Sequence, residues 1–122
     1  MTAPAFFAAM LDFVAAKPAG DDARAAAMMA ILGRAAETSR TDGAITVANA
    51  ELELAARAFA GFAALLQKQI LPEAVAHGHT ETEAQIRWSV DTAMDLVNTL
   101  LKAAAAQTRE PVTVKLPAIS PH

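Results

Sequence analysis

Residues 47–71, VANAELELAARAFAGFAALLQKQIL, decide the fold because they read as one long amphipathic helix. Large apolar residues recur there at intervals of three and four, which places them along one stripe of a helix. The members of this stripe are Leu52, Leu54, Phe59, Phe62, Leu65, Leu66 and Ile70. Beside it, Ala56, Ala60 and Ala64 repeat every four positions, next to Gly61. A flank with so little side-chain bulk allows another helix to approach closely.

The same periodicity predicts three further helices, near residues 3–17, 22–37 and 81–107. Thr2 followed by Pro4 is typical of a helix start, and either residue of the Asp21–Asp22 pair can cap the second helix. Thr80 with Glu83 three residues later matches a capping box for the last helix. These signals predict an all-α fold.

Turn-forming residues separate the second and third helices, and a proline follows the third. Asp42–Gly43 predicts a left-handed turn, and Thr46 or Asn49 is expected to cap the third helix. Pro72 is expected to kink that helix or to begin a short separate turn. The third and fourth helices would then form a long hairpin in a small bundle of about four helices.

The C-terminal tail has a different pattern from the helices. In EPVTVKLPAISPH, residues 110–122, Val112, Val114 and Leu116 alternate with polar residues between two prolines. Alternation of this kind is typical of an extended segment. We therefore predict a single helical domain over residues 1–109 and an extended tail over residues 110–122.

Composition excludes several classes of function. The 122 residues carry a net charge of −3 and contain no basic cluster, which argues against a nucleic-acid partner. The absence of Cys removes disulfides and thiolate chemistry and fits a cytoplasmic protein. No segment has the apolar length of a membrane span, so membrane insertion is not expected. The alanine-rich composition is typical of small bacterial helical proteins.

One cluster of ionisable residues has the chemistry of a metal site. His77, His79, Glu81 and Glu83 fall within seven consecutive residues. Imidazole and carboxylate groups bind zinc and other divalent metals, and His122 or an acid from another chain could add a ligand. Glu81 and Glu83 also have an ordinary role as acids in the first turn of a helix, where the helix dipole favours them. No other cofactor is indicated.

A polar stripe on the last helix offers a weaker catalytic hypothesis. Asp91, Asp95 and Asn98 recur at helical spacing, and Arg87 can pair with Asp91. Two inward-facing carboxylates could act as acid and base or as metal ligands in a bundle, but a solvated helix face is the simpler interpretation. No nucleophile motif or phosphate loop accompanies them, so an enzyme is the less favoured class.

Trp88 and three methionines leave structural and functional interpretations open. Trp88 is out of phase with the apolar stripe, so it either lies exposed as part of an interface or a ligand platform, or is covered by helix one, helix two or the tail. Met28, Met29 and Met94 could line an adaptable pocket, although methionine at helical spacing is more often core filler.

These observations favour a non-enzymatic interaction or assembly protein that acts as a homodimer and presents a surface to another protein. Alanine-rich helices bury little area, so a second copy would complete the core. The predicted interface residues are Trp88, Ala56, Ala60, Ala64, Val112, Val114 and Leu116. The alternative is a metal- or small-ligand-binding bundle that uses the His77–Glu83 cluster.

Overall fold

The computed structural model describes residues 2–117 and is 75% helical, with a small two-stranded sheet. In chain order the elements are α1 (Ala3–Ala15), α2 (Ala23–Asp42), β1 (Ala44–Val47), a 3-10 turn (Asn49–Glu51), α3 (Leu52–Leu65), a π turn (Leu66–Ile70), α4 (Leu71–Ala76), α5 (Thr80–Ala105) and β2 (Val112–Lys115). The predicted fold class, a small helical bundle with a long hairpin and an extended tail, is confirmed.

Side-chain caps begin the first two helices as the sequence predicts. The Thr2 hydroxyl accepts a hydrogen bond from the Ala5 amide at 3.2 Å. The Asp22 carboxylate accepts from the Arg24 and Ala25 amides at 3.0 and 3.2 Å. Each cap satisfies amides that have no partner inside the helix.

Helix α2 is longer than predicted, because it ends at Asp42 and not near residue 37. Its polar residues stay helical by hydrogen bonding within the helix: the Ser39 hydroxyl donates to the Ala36 carbonyl at 2.9 Å, and the Thr41 hydroxyl donates to the Glu37 carbonyl at 3.1 Å. The helix ends where Gly43 adopts a left-handed conformation with φ of 63°. Gly43 is left-handed as predicted, but it ends a helix and does not lie inside a loop.

The third helix begins later than predicted and neither expected cap forms. Residues 44–47 are a strand, and the helix starts with a 3-10 turn before α3. Asn49 donates from Nδ2 to the Arg109 carbonyl at 2.9 Å, which ties this turn to the chain after α5. Thr46 lies in β1 and shares a hydrogen bond with Thr113 at 2.9 Å. Both side chains therefore bond to the C-terminal part of the chain.

Pro72 is accommodated without an interruption of the helical path. It lies at the start of α4, directly after the π turn, in which the Leu71 amide donates to the Leu66 carbonyl. Proline lacks an amide hydrogen and crowds the carbonyl four residues earlier, and a π turn relieves this by shifting the hydrogen bonds to the fifth residue. Helix α3, the π turn and α4 thus form one helical segment of the hairpin.

The predicted capping box at Thr80 is wrong. Thr80 is already the first residue of α5, and His79 occupies the cap position without a side-chain hydrogen bond. The Glu83 carboxylate instead pairs with Arg87 at 2.8 Å, one turn further along the helix. The acids of the first turn nevertheless remain favourably placed with respect to the helix dipole.

The tail folds back onto its own chain. Strand β2 pairs antiparallel with β1, with Val114 opposite Ile45 and Val112 opposite Val47. The Leu116 amide extends the pairing by donating to the Gly43 carbonyl at 2.9 Å. The extended conformation is as predicted up to Pro117, whereas residues 118–122 lie outside the described residues.

The core lies where the α1–α2 pair packs on the α3–α5 pair. Phe59 and Phe62 are 0% and 1% exposed, which confirms their predicted place in the core. The Phe62 ring meets the Phe7 ring edge-on, with 5.6 Å between centroids. Such edge-to-face pairs add stability beyond the area they bury.

Candidate functional site

The two histidines of the predicted metal cluster flank the tight turn between α4 and α5. His77 follows the end of α4, Gly78 adopts φ of 68°, and His79 precedes α5. The imidazole rings stack with 5.8 Å between centroids and 28° between planes. The sequence spacing therefore does bring these two side chains together.

The carboxylates do not converge on that histidine pair. The nearest acid to His77 is Glu73, one turn earlier in α4, with 3.5 Å between Nε2 and Oε2. Glu83 is held by Arg87, and Glu81 lies exposed in the first turn of α5. Within residues 2–117 no three His, Asp or Glu side chains are grouped so as to hold a metal ion. His122 lies outside this range. The geometry of residues 2–117 therefore gives the metal hypothesis no support.

The acidic stripe of α5 faces solvent. Asp91, Asp95 and Asn98 are exposed, and the Asp95 carbonyl accepts a hydrogen bond from the Thr99 hydroxyl at 2.9 Å. Arg87 pairs with Glu83 on its N-terminal side, and not with Asp91 as the sequence suggested. These groups have the geometry of a solvated helix face.

Trp88 packs within the protomer. It is half-buried between α5 and α1, with its ring edge-on to Phe7 and 5.9 Å between centroids. This contact places Trp88 at the boundary between α5 and the first helix, and its use at an interface stays a prediction. This contact accounts for an aromatic side chain outside the main apolar stripe.

The three alanines of α3 lie in different environments. Ala56 is 2% exposed and belongs to the core, whereas Ala60 and Ala64 are half-buried on the outer side of the helix. The outer pair is therefore accessible to a second molecule, and Ala56 serves packing inside the protomer.

Helix α5 adds large apolar side chains to this outer side. Met94 is 41% exposed and Leu101 is 48% exposed, and Val90 beside them is half-buried. We call the surface formed by Ala60, Ala64, Val90, Met94 and Leu101 the hairpin face. The sequence pattern places Met94 and Leu101 on one apolar face of this helix together with the buried Ile86 and Val97, but that apolar arc of α5 is wider than the part that α1 and α3 cover. The width of this apolar arc is the sequence signal that could have revealed the exposure of Met94 and Leu101.

The tail residues of the predicted interface are half-buried against their own chain. Val112 and Val114 stand opposite Val47 and Ile45, and Leu116 follows the strand. The side chains of Val112 and Val114 thus lie beside those of Val47 and Ile45 on one face of the sheet, and all three tail residues pack against the core of the same protomer. Thr113 and Lys115 lie on the exposed side.

An apolar depression lies between α2 and the middle of α3. We call it the Met groove and define it by Met28, Met29, Gly61, Phe62 and Leu65. It has a volume of about 270 Å³, and the side chains of Lys17 and Arg57 stand at its rim. The sequence raised Met28 and Met29 as pocket residues, but Met94 lies apart from them on the hairpin face.

No helix among the described residues is both long and apolar enough to cross a membrane. Comparison of the chain with protein-family models finds no match, and comparisons with curated proteins and with solved structures likewise find none. The contacts and exposed surfaces of this chain therefore carry the functional inference.

Proposed function

We propose that this protein is a non-enzymatic, homodimeric assembly protein whose two copies join through the hairpin face. The observation that carries the proposal is the exposure of Met94 and Leu101 beside the small residues of α3. Large apolar side chains aligned on one helix face are a common feature of protein interaction sites. The small side chains of Ala60 and Ala64 on the neighbouring helix leave room for the large side chains of a second copy, so the face is complementary to itself.

The positions of these residues along the hairpin suit a two-fold arrangement. Leu101 and Arg57 line a depression at one end, and Val90 and Gln67 line another toward the opposite end. A two-fold axis parallel to the hairpin would set α5 of each copy against α3 of the other, so that Met94 would face the partner's Ala60 and the partner's Ala64. Each large side chain would then fill a position where its counterpart is small, as in ridge-into-groove packing of helices.

Burial of the hairpin face would contribute free energy to the contact. Full burial of an exposed Met or Leu side chain contributes about 1.5–3 kcal/mol, and because Met94 and Leu101 are already about half-buried, each of the four such side chains in a dimer would add about half of that. Part of this gain is lost to the entropic cost of association. The resulting core would contain four long helical segments, with α1 and α2 of each copy on the outside, where a protein partner could bind. The lack of Cys fits a cytoplasmic setting for such an assembly.

The proposed interface is narrower than the one predicted from the sequence. It keeps Ala60 and Ala64 and adds Met94 and Leu101. Ala56, Trp88 and the tail strand are used inside the protomer, and their contacts there support a structural role.

Light scattering on size-separated protein tests the dimer. The wild-type chain should have the mass of two copies at micromolar concentration, and Leu101→Glu should have the mass of one, because association would remove the added carboxylate from water. Phe13→Glu is the matched control, since Phe13 is 52% exposed on α1 and lies off the hairpin face. Circular dichroism should show that both variants remain helical.

Two results would contradict the proposal. A wild-type chain with the mass of one copy at high concentration removes the dimer. A dimer that survives Leu101→Glu but is lost in Phe13→Glu places the interface on the α1 side.

A further inference from the structure

The Met groove has the lining of a binding site for an apolar group. Met28, Met29 and Leu65 are half-buried at its sides, and Phe62 is 1% exposed beneath them. Methionine side chains are flexible and polarisable, so they adapt to the shape of a bound apolar chain. No residue of the hairpin face lines the groove, although Arg57 at its rim also borders the depression beside Leu101.

Gly61 keeps this groove open. It lies in the interior of α3, where glycine is unfavourable for helix stability. A Cβ built at Gly61 would meet no atom within 4 Å, so no close packing inside the described protomer requires a glycine there. Any larger side chain would project into the groove.

The rim of the groove is positively charged. Lys17 and Arg57 both line it, and neither forms an ion pair with a carboxylate of residues 2–117. The Lys17 ammonium lies 5.0 Å from the centroid of the Phe13 ring, a contact that leaves the charge accessible. Two accessible cations beside an apolar surface favour a ligand that has an anionic head and an apolar tail.

We propose that the Met groove binds a small amphipathic carboxylate of the medium-chain fatty acid class. The acyl chain would lie over Gly61 against Met28, Met29 and Leu65, and the carboxylate would meet Arg57 or Lys17 at the rim. A guanidinium can bind a carboxylate through two parallel hydrogen bonds. The volume of about 270 Å³ is just below the range of small-molecule sites, which favours one acyl chain over a helical segment of a protein.

Methyl NMR of the methionines gives a site-resolved test, with decanoate as the probe below its micellar concentration. The signals of Met28 and Met29 should shift during the titration, and the Met94 signal should not. Decanol and decyltrimethylammonium have the same tail with a neutral or cationic head, and both should bind about tenfold more weakly, a factor that corresponds to about 1.4 kcal/mol.

Two sets of variants locate the site. Gly61→Leu should abolish the decanoate shifts because its side chain fills the groove, whereas Gly61→Ala should retain binding. The double variant Lys17→Gln with Arg57→Gln should remove the preference for decanoate over decanol. Met94→Glu should bind as the wild type does, because Met94 lines neither the groove nor the depression that Leu101 shares with Arg57.

Four results of the probe titrations would each overturn the proposal. These are equal binding of decanoate and decanol, unchanged binding in a folded Gly61→Leu variant, equal shifts at Met94, and no shift up to the micellar concentration. A change in the Met28 and Met29 signals on dilution without probe would show that a second copy occupies the groove, which also overturns it.

Discussion

Two buried serines differ in whether their hydroxyl groups have a hydrogen-bond partner. Ser89 is 0% exposed in α5, and its Oγ has no partner among the described residues. Ser39 is 7% exposed in α2, and its hydroxyl donates to the Ala36 carbonyl at 2.9 Å. Burial of a hydroxyl without a hydrogen bond costs about 1–3 kcal/mol by mutational measures.

We therefore expect Ser89→Ala to raise the free energy of unfolding by about 1 kcal/mol more than Ser39→Ala does. Both substitutions gain the same helix propensity, so their difference isolates the hydrogen bond. Urea unfolding followed by circular dichroism measures both. Equal effects would mean that the Ser89 hydroxyl is satisfied in solution.

Phe62 anchors the core at the point where α1 and α3 meet. Its ring is 1% exposed and contacts Phe7 edge-on, so truncation would leave a large cavity. We expect Phe62→Ala to lower the free energy of unfolding by about 3–5 kcal/mol. Phe13→Ala is the control, because that ring is 52% exposed and its removal should cost far less. Similar losses for the two variants would place Phe62 at the surface.

Two glycines should respond to alanine in opposite ways. Gly43 has φ of 63° at the end of α2, where a side chain is strained, whereas Gly61 is helical with free space around its missing Cβ. Gly43→Ala should lower the free energy of unfolding by about 1 kcal/mol, and Gly61→Ala should raise it by about 0.5–1 kcal/mol. Thermal unfolding of the two variants checks the signs. A destabilising Gly61→Ala would reveal a close contact over the groove.

At the scale of elements, local patterns predicted the helices better than their ends. Apolar periodicity located α1, α2, α3 and α5, because each buries a stripe whose spacing is set by the helix itself. The last turn of α2 was missed because its Thr and Ser residues have weak helix propensity. Their hydroxyls bond to carbonyls of the helix, a compensation that a propensity argument does not see.

Strand β1 was missed for a different reason. Its four residues become a strand by pairing with β2, and the Thr46–Thr113 hydrogen bond joins positions 67 residues apart. Pairing at this separation leaves no local signal in the sequence. The same limit applies to the candidate surfaces: periodicity identified Met94 and Leu101 as apolar, but only the packing of α1 and α3 determines that they remain exposed.

The strand pair predicts a role for the tail in stability. Truncation after Arg109 removes β2 and the half-buried Val112, Val114 and Leu116, so it should lower the free energy of unfolding by about 2–4 kcal/mol. Truncation after Pro117 keeps the strand and is the control. Denaturant unfolding of both versions measures the difference, and equal stabilities would show that β2 adds nothing to the fold.

At the scale of the whole molecule, the exposed hairpin face and the small core raise the same question, which is how an alanine-rich chain buries enough apolar area. Alanine is abundant in the buried set, and it contributes little area per residue, so the protomer depends on a few large side chains. Among these, Met94 and Leu101 lie outside the core and contribute little within one copy. Dimerisation would recruit them, and the stability of the fold would then be linked to association.

This linkage predicts that stability depends on protein concentration. If the folded dimer dissociates as it unfolds, each tenfold rise in concentration should add about 1.4 kcal/mol to the apparent free energy of unfolding. The melting temperature of the wild-type chain should therefore rise steadily between 1 and 100 μM, about two decades. Leu101→Glu should melt at one temperature throughout that range, because its monomer gains nothing from concentration. Phe13→Glu should retain the wild-type slope, since its surface is not used for association. Wild-type curves that superimpose at all concentrations would mean that the protomer is stable alone and that the hairpin face has some other occupant.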